Sequence, residues 1–343
     1  MTSLRRHGRA GARLVHAVAS VRGLALIATI LTVASGCDKA KSFVRAGQAA
    51  RPPKVDPSKV LDLASRPTIL FQVFGERSDP RLIPVGAMKD GHLTNIELTR
   101  DGWHQLDAMY LRRDARYTVY KDGEAHGAVT VTRGMWDNAD TPLYTLPGCQ
   151  TLTPLAQVKL DTDLPTQFTV EFLAASAPMG RQAERLQLPP ELVRKLAHEL
   201  GGIAGKRVGI TPALLDSLDL HAVAIGTGTS AAPTVVASFI DPAAANPTST
   251  TERTAHVLVI AEREPDGTYR PAFTHVVHGP LANAEFRRYV DHLDIDGDGV
   301  DEIFLEGWRF RGDTFLIALR YEGDTWREVF RSRSNWCLDE RGD

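Results

Sequence analysis

The sequence predicts a mainly β protein: two β-rich lobes of hairpins and meanders, with a few short helices. Three observations point there. Most apolar residues fall in runs of five to nine that are rich in β-branched and aromatic side chains. Asp-Gly pairs punctuate those runs, as at Asp90-Gly91, Asp122-Gly123 and Asp266-Gly267, where glycine accepts the positive φ of a tight turn. Only two stretches carry a helical period. An irregular β-propeller is the alternative, although no repeat of blade length is visible along the chain.

Taken in order, strands are expected at 68–74, 116–120, 128–132 and 167–173, and then at 221–225, 234–240, 256–262, 269–277, 302–308, 314–321 and 326–330. A short helix capped by Asp101 places Trp103, Leu106, Met109 and Tyr110 on one stripe. A second helix starts at Pro190 and buries Leu192, Val193, Leu196 and Leu200. Gly201 and Gly202 are expected to stop it. This helix (189–204) divides the body into an N-terminal lobe (67–188) and a C-terminal lobe (205–343).

Residues 1–36 differ from the rest. They carry five arginines and no acidic residue, and then the 12-residue apolar run LALIATILTVAS. A membrane-spanning helix needs about 20 such residues. A basic start, a short apolar run and small residues mark a secretory signal. The sequence Ala34-Ser35-Gly36-Cys37 resembles the lipobox of bacterial lipoproteins, which implies cleavage before Cys37 and lipidation of its thiol. The implied product is lipid-anchored in the cell envelope, extracytoplasmic, with the membrane as its first partner. Residues 37–66, rich in Lys, Arg, Ala and Pro, read as a flexible tether. Without the first 36 residues the chain has 35 basic and 42 acidic side chains, a net −7, which argues against a nucleic-acid partner. Cys149 and Cys337 remain, either a disulfide in an oxidising compartment or two separate buried thiols.

The most specific chemistry lies in the run from Asp294 to Glu302, DIDGDGVDE. Acidic residues at its positions 1, 3, 5 and 9 surround two glycines. Calcium takes six to eight hard oxygens, and a tight loop points alternate carboxylates at one centre. So many carboxylates together repel one another without a cation. Position 12 is Leu305 rather than the bidentate Glu of an EF-hand, and both flanks read as strands. The loop resembles the calcium loops of FG-GAP repeats, found in integrin-type β-propellers and secreted bacterial proteins. That resemblance covers about 15 residues, and implies Asp294, Asp296, Asp298, the Val300 carbonyl and Glu302 as ligands of a structural Ca²⁺, with Asp301 turned to solvent.

Other constellations carry less. The run from Gly226 to Ala231 matches a dinucleotide fingerprint formally but precedes a strand instead of the helix that motif needs. His198-Glu199 lacks a second His one helical turn on. His275 and His278 fall on opposite faces of one strand. The five tryptophans suit core and edge packing. The implied function is a binding or scaffold module with an envelope protein or polysaccharide partner. The rival is an extracytoplasmic hydrolase, which needs two facing carboxylates, with Glu171, Glu262 and Glu306 as candidates.

Overall fold

The computed structural model describes residues 60–136, 155–164, 168–180, 187–246, 248–312 and 314–332. The expected signal, the tether up to residue 59, Cys37, Cys149, Cys337 and Trp336 lie outside the described residues. No helix among the described residues is long and apolar enough to cross a membrane.

The fold is mainly β. Strands β1 (Ile69–Glu76), β2 (Asp79–Lys89), β3 (His92–Thr94), β4 (Arg116–Lys121), β5 (Glu124–Arg133), β6 (Ala156–Asp161) and β7 (Thr169–Ala175) form one antiparallel sheet in the order β1-β7-β4-β5-β6-β2-β3. Because β1 also pairs with β2, six of these strands close into a barrel. Its interior holds Phe71, Val73, Leu82, Val119, Val129, Val131, Val158 and Phe172. Helix α1 (Arg100–Tyr110) sets Trp103, Leu106 and Tyr110 into that cluster. Its N-cap is Thr99, whose hydroxyl accepts from the Gly102 N–H at 3.2 Å, so the cap lies two residues before the expected Asp101.

Two four-stranded meanders follow. The first is β8 (Asp219–Ile225), β9 (Thr234–Ile240), β10 (Arg253–Arg263) and β11 (Tyr269–Pro280). The second is β12 (Glu285–Leu293), β13 (Glu302–Arg309), β14 (Thr314–Glu322) and β15 (Thr325–Arg331). They pack face to face: Val236, Leu258 and Ile260 of the first meet Ile303, Leu305, Ile317 and Leu319 of the second. The other face of the second, through Val290, Phe304, Leu316 and Ala318, lies on barrel residues Leu70, Ile83, Tyr120 and Leu173. A sheet covered on both sides explains the unbroken apolar runs IFL and FLIAL, since neighbouring residues enter different cores. Propeller blades also stack as four-stranded meanders, but a ring needs at least four. Here a closed barrel occupies the outer face, so the propeller alternative gives way to a layered stack.

Helix α2 (Pro190–Lys206) covers the free face of the first meander, packing Ala197, Leu200 and Ala204 on Val235, Phe239, Val257 and Val259. It runs past Gly201 and Gly202, against expectation. A Cβ on Gly201 would lie 2.5 Å from the Phe239 ring, so this glycine permits close helix–sheet approach instead of ending the helix. Leu192, expected in the stripe, is exposed. A short helix α3 (Pro212–Asp216), capped by Thr211, leads into β8.

Candidate functional site

The acidic loop joins β12 to β13. Gly297 and Gly299 have φ of 79° and 90°, which lets the backbone wind tightly. Asp294, Asp296 and Glu302 each bring a carboxylate oxygen within 4.8 Å of the others. That spacing suits hard donors about 2.4 Å from one divalent ion. Asp294 and Glu302 are buried. The two Asp294 oxygens accept from Gly297 N–H (2.7 Å) and Gly299 N–H (3.1 Å). Glu302 Oε2 accepts from Ile295 N–H at 3.1 Å. Burial, opposed by a bond from Arg320, pushes the Glu302 carboxyl up to about 7. Asp298 stands apart from the trio: it is exposed, and its Oδ1 accepts from Val300 N–H at 2.8 Å.

Arg320, on β14, was invisible to local sequence reading. Its Nε donates to Glu302 Oε1 at 2.7 Å, and its Nη2 lies 2.8 Å from Asp296 Oδ2. The same guanidinium reaches the Gly91 carbonyl at 3.3 Å and His92 Nδ1 at 3.3 Å on the β2–β3 hairpin. Repulsion among the loop carboxylates is therefore partly offset by a protein cation, which a spacing argument alone does not anticipate. The donor set still fits a hard divalent ion. Three carboxylates converge, and one arginine balances only part of their charge.

Asp301 corrects an expectation. It does not face solvent but is fully buried. Its N–H donates to the Thr227 carbonyl at 2.8 Å, and its Oδ2 lies 3.6 Å from His292 Nε2. His292 Nδ1 is 2.7 Å from the Tyr289 hydroxyl. Asp291, also fully buried, accepts from Asp122 N–H (2.7 Å) and His292 N–H (2.8 Å), with Lys121 Nζ at 3.7 Å. Burial raises the Asp291 carboxyl to about 7, although Lys121 pulls it down. Burial, reinforced by Asp291, Asp122 and Asp301, holds the Tyr289 phenol well above its usual range, so it stays protonated. This cluster seals the β4–β5 turn onto β12. A Cβ on Gly123, whose φ is 76°, would meet Asp301 Oδ2 at 2.9 Å.

Tyr289 and His292 form the inner end of a cleft of about 1050 Å³ between the barrel and strand β8. The three glutamates named for hydrolysis do not line it. Glu171 and Glu306 are clamped on Arg288, with N–O distances of 2.6 to 2.7 Å. Glu262 is buried between the meanders and accepts from Trp326 Nε1 (2.7 Å), Thr229 (2.9 Å) and Thr234 (2.9 Å). Those hydrogen bonds tie down the loop from Gly226 to Ala231, which leads into strand β9. His275 bonds toward β12 and His278 toward Val208, on opposite faces of β11. The chain matches no protein-family model, no curated protein and no solved structure.

Proposed function

We propose that this chain is a cell-envelope lipoprotein, anchored through Cys37 on an extracytoplasmic face, whose β body is stiffened by a structural Ca²⁺ and serves as a binding or scaffold module. The observation that carries the reading is the meeting of Asp294, Asp296 and Glu302 in a loop whose spacing resembles FG-GAP calcium loops. The ion's role there is electrostatic: it joins two strands by balancing carboxylates that Arg320 offsets only in part. Asp298 and the Val300 carbonyl complete the proposed ligand set. The lipobox-like residues before Cys37 support the anchor, and an envelope protein or polysaccharide is the proposed partner.

Extracellular calcium modules have dissociation constants of about 10⁻⁴ to 10⁻³ M. At 5 mM calcium this corresponds to about 1–2 kcal/mol of added stability, or a rise in melting temperature of a few degrees. Melting curves in calcium and in chelator measure it. Asp296→Asn and Glu302→Gln are expected to abolish the rise, and equal curves for the unaltered chain in both buffers would overturn the calcium reading. Retention of Cys37→Ala in the membrane fraction, with unchanged mass at its N-terminus, would overturn the anchor.

A further inference from the structure

Strand β8 is an edge strand of a different kind from the others. It pairs with β9 on one side and, among the described residues, with nothing on the other. Both of its faces are partly covered, with His221 exposed. Leu220 and Ala222 pack toward α2, and Val223 and Ile225 pack toward the second meander. Residues Leu220 and Ala222 through Gly226 nevertheless line the cleft almost consecutively. Alternating side chains of a strand cannot do that from one face, so what the cleft receives is the main-chain edge, with its outward N–H and C=O groups.

Exposed edges invite pairing, and proteins blunt them with proline, charge, bulges or brevity. This molecule does so elsewhere. β11 carries Pro271, Pro280 and a register shift. β12 carries Arg287, Arg288 and a register shift. β15 carries Arg327, Glu328 and Arg331, and β3 has three residues. From Leu220 to Ile225, β8 has no proline, no lysine or arginine, and an unbroken register with β9. Barrel residues Asp122, His126 and Asp163 and helix α2 residues Val193, Arg194 and His198 line the same cleft as this edge.

The formal charge of the cleft lining leans acidic. Asp122, Asp163 and Asp216 line it with Arg194 and three histidines, and Lys121 Nζ stands 3.9 Å from Asp122 beside it. Asp163 and Asp216 sit beside His126 (3.2 Å) and His198 (3.4 Å). We infer that the cleft takes an extended polypeptide segment bearing basic side chains, which adds to the first meander as a fifth strand along β8. Main-chain hydrogen bonds hold such a segment and its side chains select it. The inference rests on the binding-module part of the proposed function and is independent of the ion and the lipid.

The test uses the full chain and three probes: a capped Val-Lys alternating octapeptide, its Val-Glu counterpart, and the Val-Lys peptide with an N-methylated backbone. The basic peptide is expected to bind and to slow exchange at least tenfold at the outward amides of residues 220–226, the alternate ones that do not bond to β9. The acidic peptide is expected to bind at least tenfold more weakly and the N-methylated one not at all. Asp122→Asn with Asp163→Asn is expected to weaken the basic peptide several-fold. The inference is overturned if those amides are already protected in the free chain, if the basic peptide does not bind, or if it binds without protecting β8. Cleavage of a peptide protected along β8 would keep the cleft and remove the non-enzymatic module reading. Binding unchanged by chelator beside a flat calcium titration would keep the cleft and remove the ion.

Discussion

Glu262 and two carboxylates of the β12–β13 loop, Asp294 and Glu302, are withdrawn from water, yet they are held in opposite ways. Glu262 lies in the dry seam between the meanders and is satisfied by neutral donors, an indole and two hydroxyls. Burial lifts its carboxyl above the usual range, and those three bonds oppose the lift. The loop acids are held by backbone N–H groups and by Arg320. The first arrangement closes a network within the fold. The second gathers like charges and leaves a surplus at the end of a sheet. Satisfied carboxylates brace a structure, whereas surplus ones mark where a cation from outside has something to add.

The sharpest way to break this comparison is to empty the seam. Glu262→Ala strands the Trp326, Thr229 and Thr234 donors and is expected to cost about 3–5 kcal/mol in urea unfolding. Glu262→Gln keeps an acceptor and should cost less than half as much, and neither loss should respond to calcium. Gly123→Ala forces a Cβ toward Asp301 at a positive φ and is expected to cost about 2 kcal/mol by the same measurement.

His256 tests the seam from its other side. It is fully buried, with Nδ1 2.9 Å from the Phe239 carbonyl, and Nε2 accepts from Arg287 N–H at 3.1 Å. Burial, then the neighbouring His275, lower its pKa to about 3. Between the unfolded value near 6.5 and that folded value, the unfolded chain binds a proton that the folded chain refuses. Stability from this group therefore falls as pH drops through that window, by up to about 1.4 kcal/mol per pH unit. Asp291 acts oppositely, because its raised pKa makes the folded form bind the extra proton. The His256 contribution is thus isolated as the difference between the natural chain and His256→Asn. That difference is expected to shrink from pH 6.5 to pH 4.5, and a constant difference would refute it.

The smallest effect concerns Arg320. Arg320→Gln is expected to lower the melting temperature in chelator by a few degrees and to tighten calcium binding about tenfold, by removing a cation that competes for Asp296 and Glu302. Unchanged calcium affinity would show that the arginine and the ion do not share the site.

Period and turn chemistry made most strands legible, and β9 begins and ends where its apolar run does. Strand β2 stayed hidden because Pro80, Pro84 and Gly86 interrupt it, and proline argues against an interior strand. Its edge toward β1 carries a register shift at Leu70/Phe71, where the proline is absorbed. That strand closes the barrel, so a barrel could not be read without it. Gly201 looked like a helix stop because its partner, Phe239, lies 38 positions away on another element. Spacing pointed to Asp294, Asp296 and Glu302 together with Asp298, and the structure brings only the first three within reach of one centre. Arg320, 18 residues beyond Glu302, and the buried state of Asp301 were set by tertiary packing that spacing does not encode.

Closure of the barrel has a consequence for how the chain is made. Strand β1 meets β2 at once, but its other neighbour, β7, arrives roughly a hundred residues later. A chain emerging from its N-terminus leaves Leu70 and Phe71 without their β7 neighbours until Ala175 and Ala174 emerge. During that interval the half-built sheet has a sticky, unpaired margin of the sort chaperones shield. Acquisition of native structure is therefore expected to be late and abrupt, gated by the arrival of one seven-residue segment.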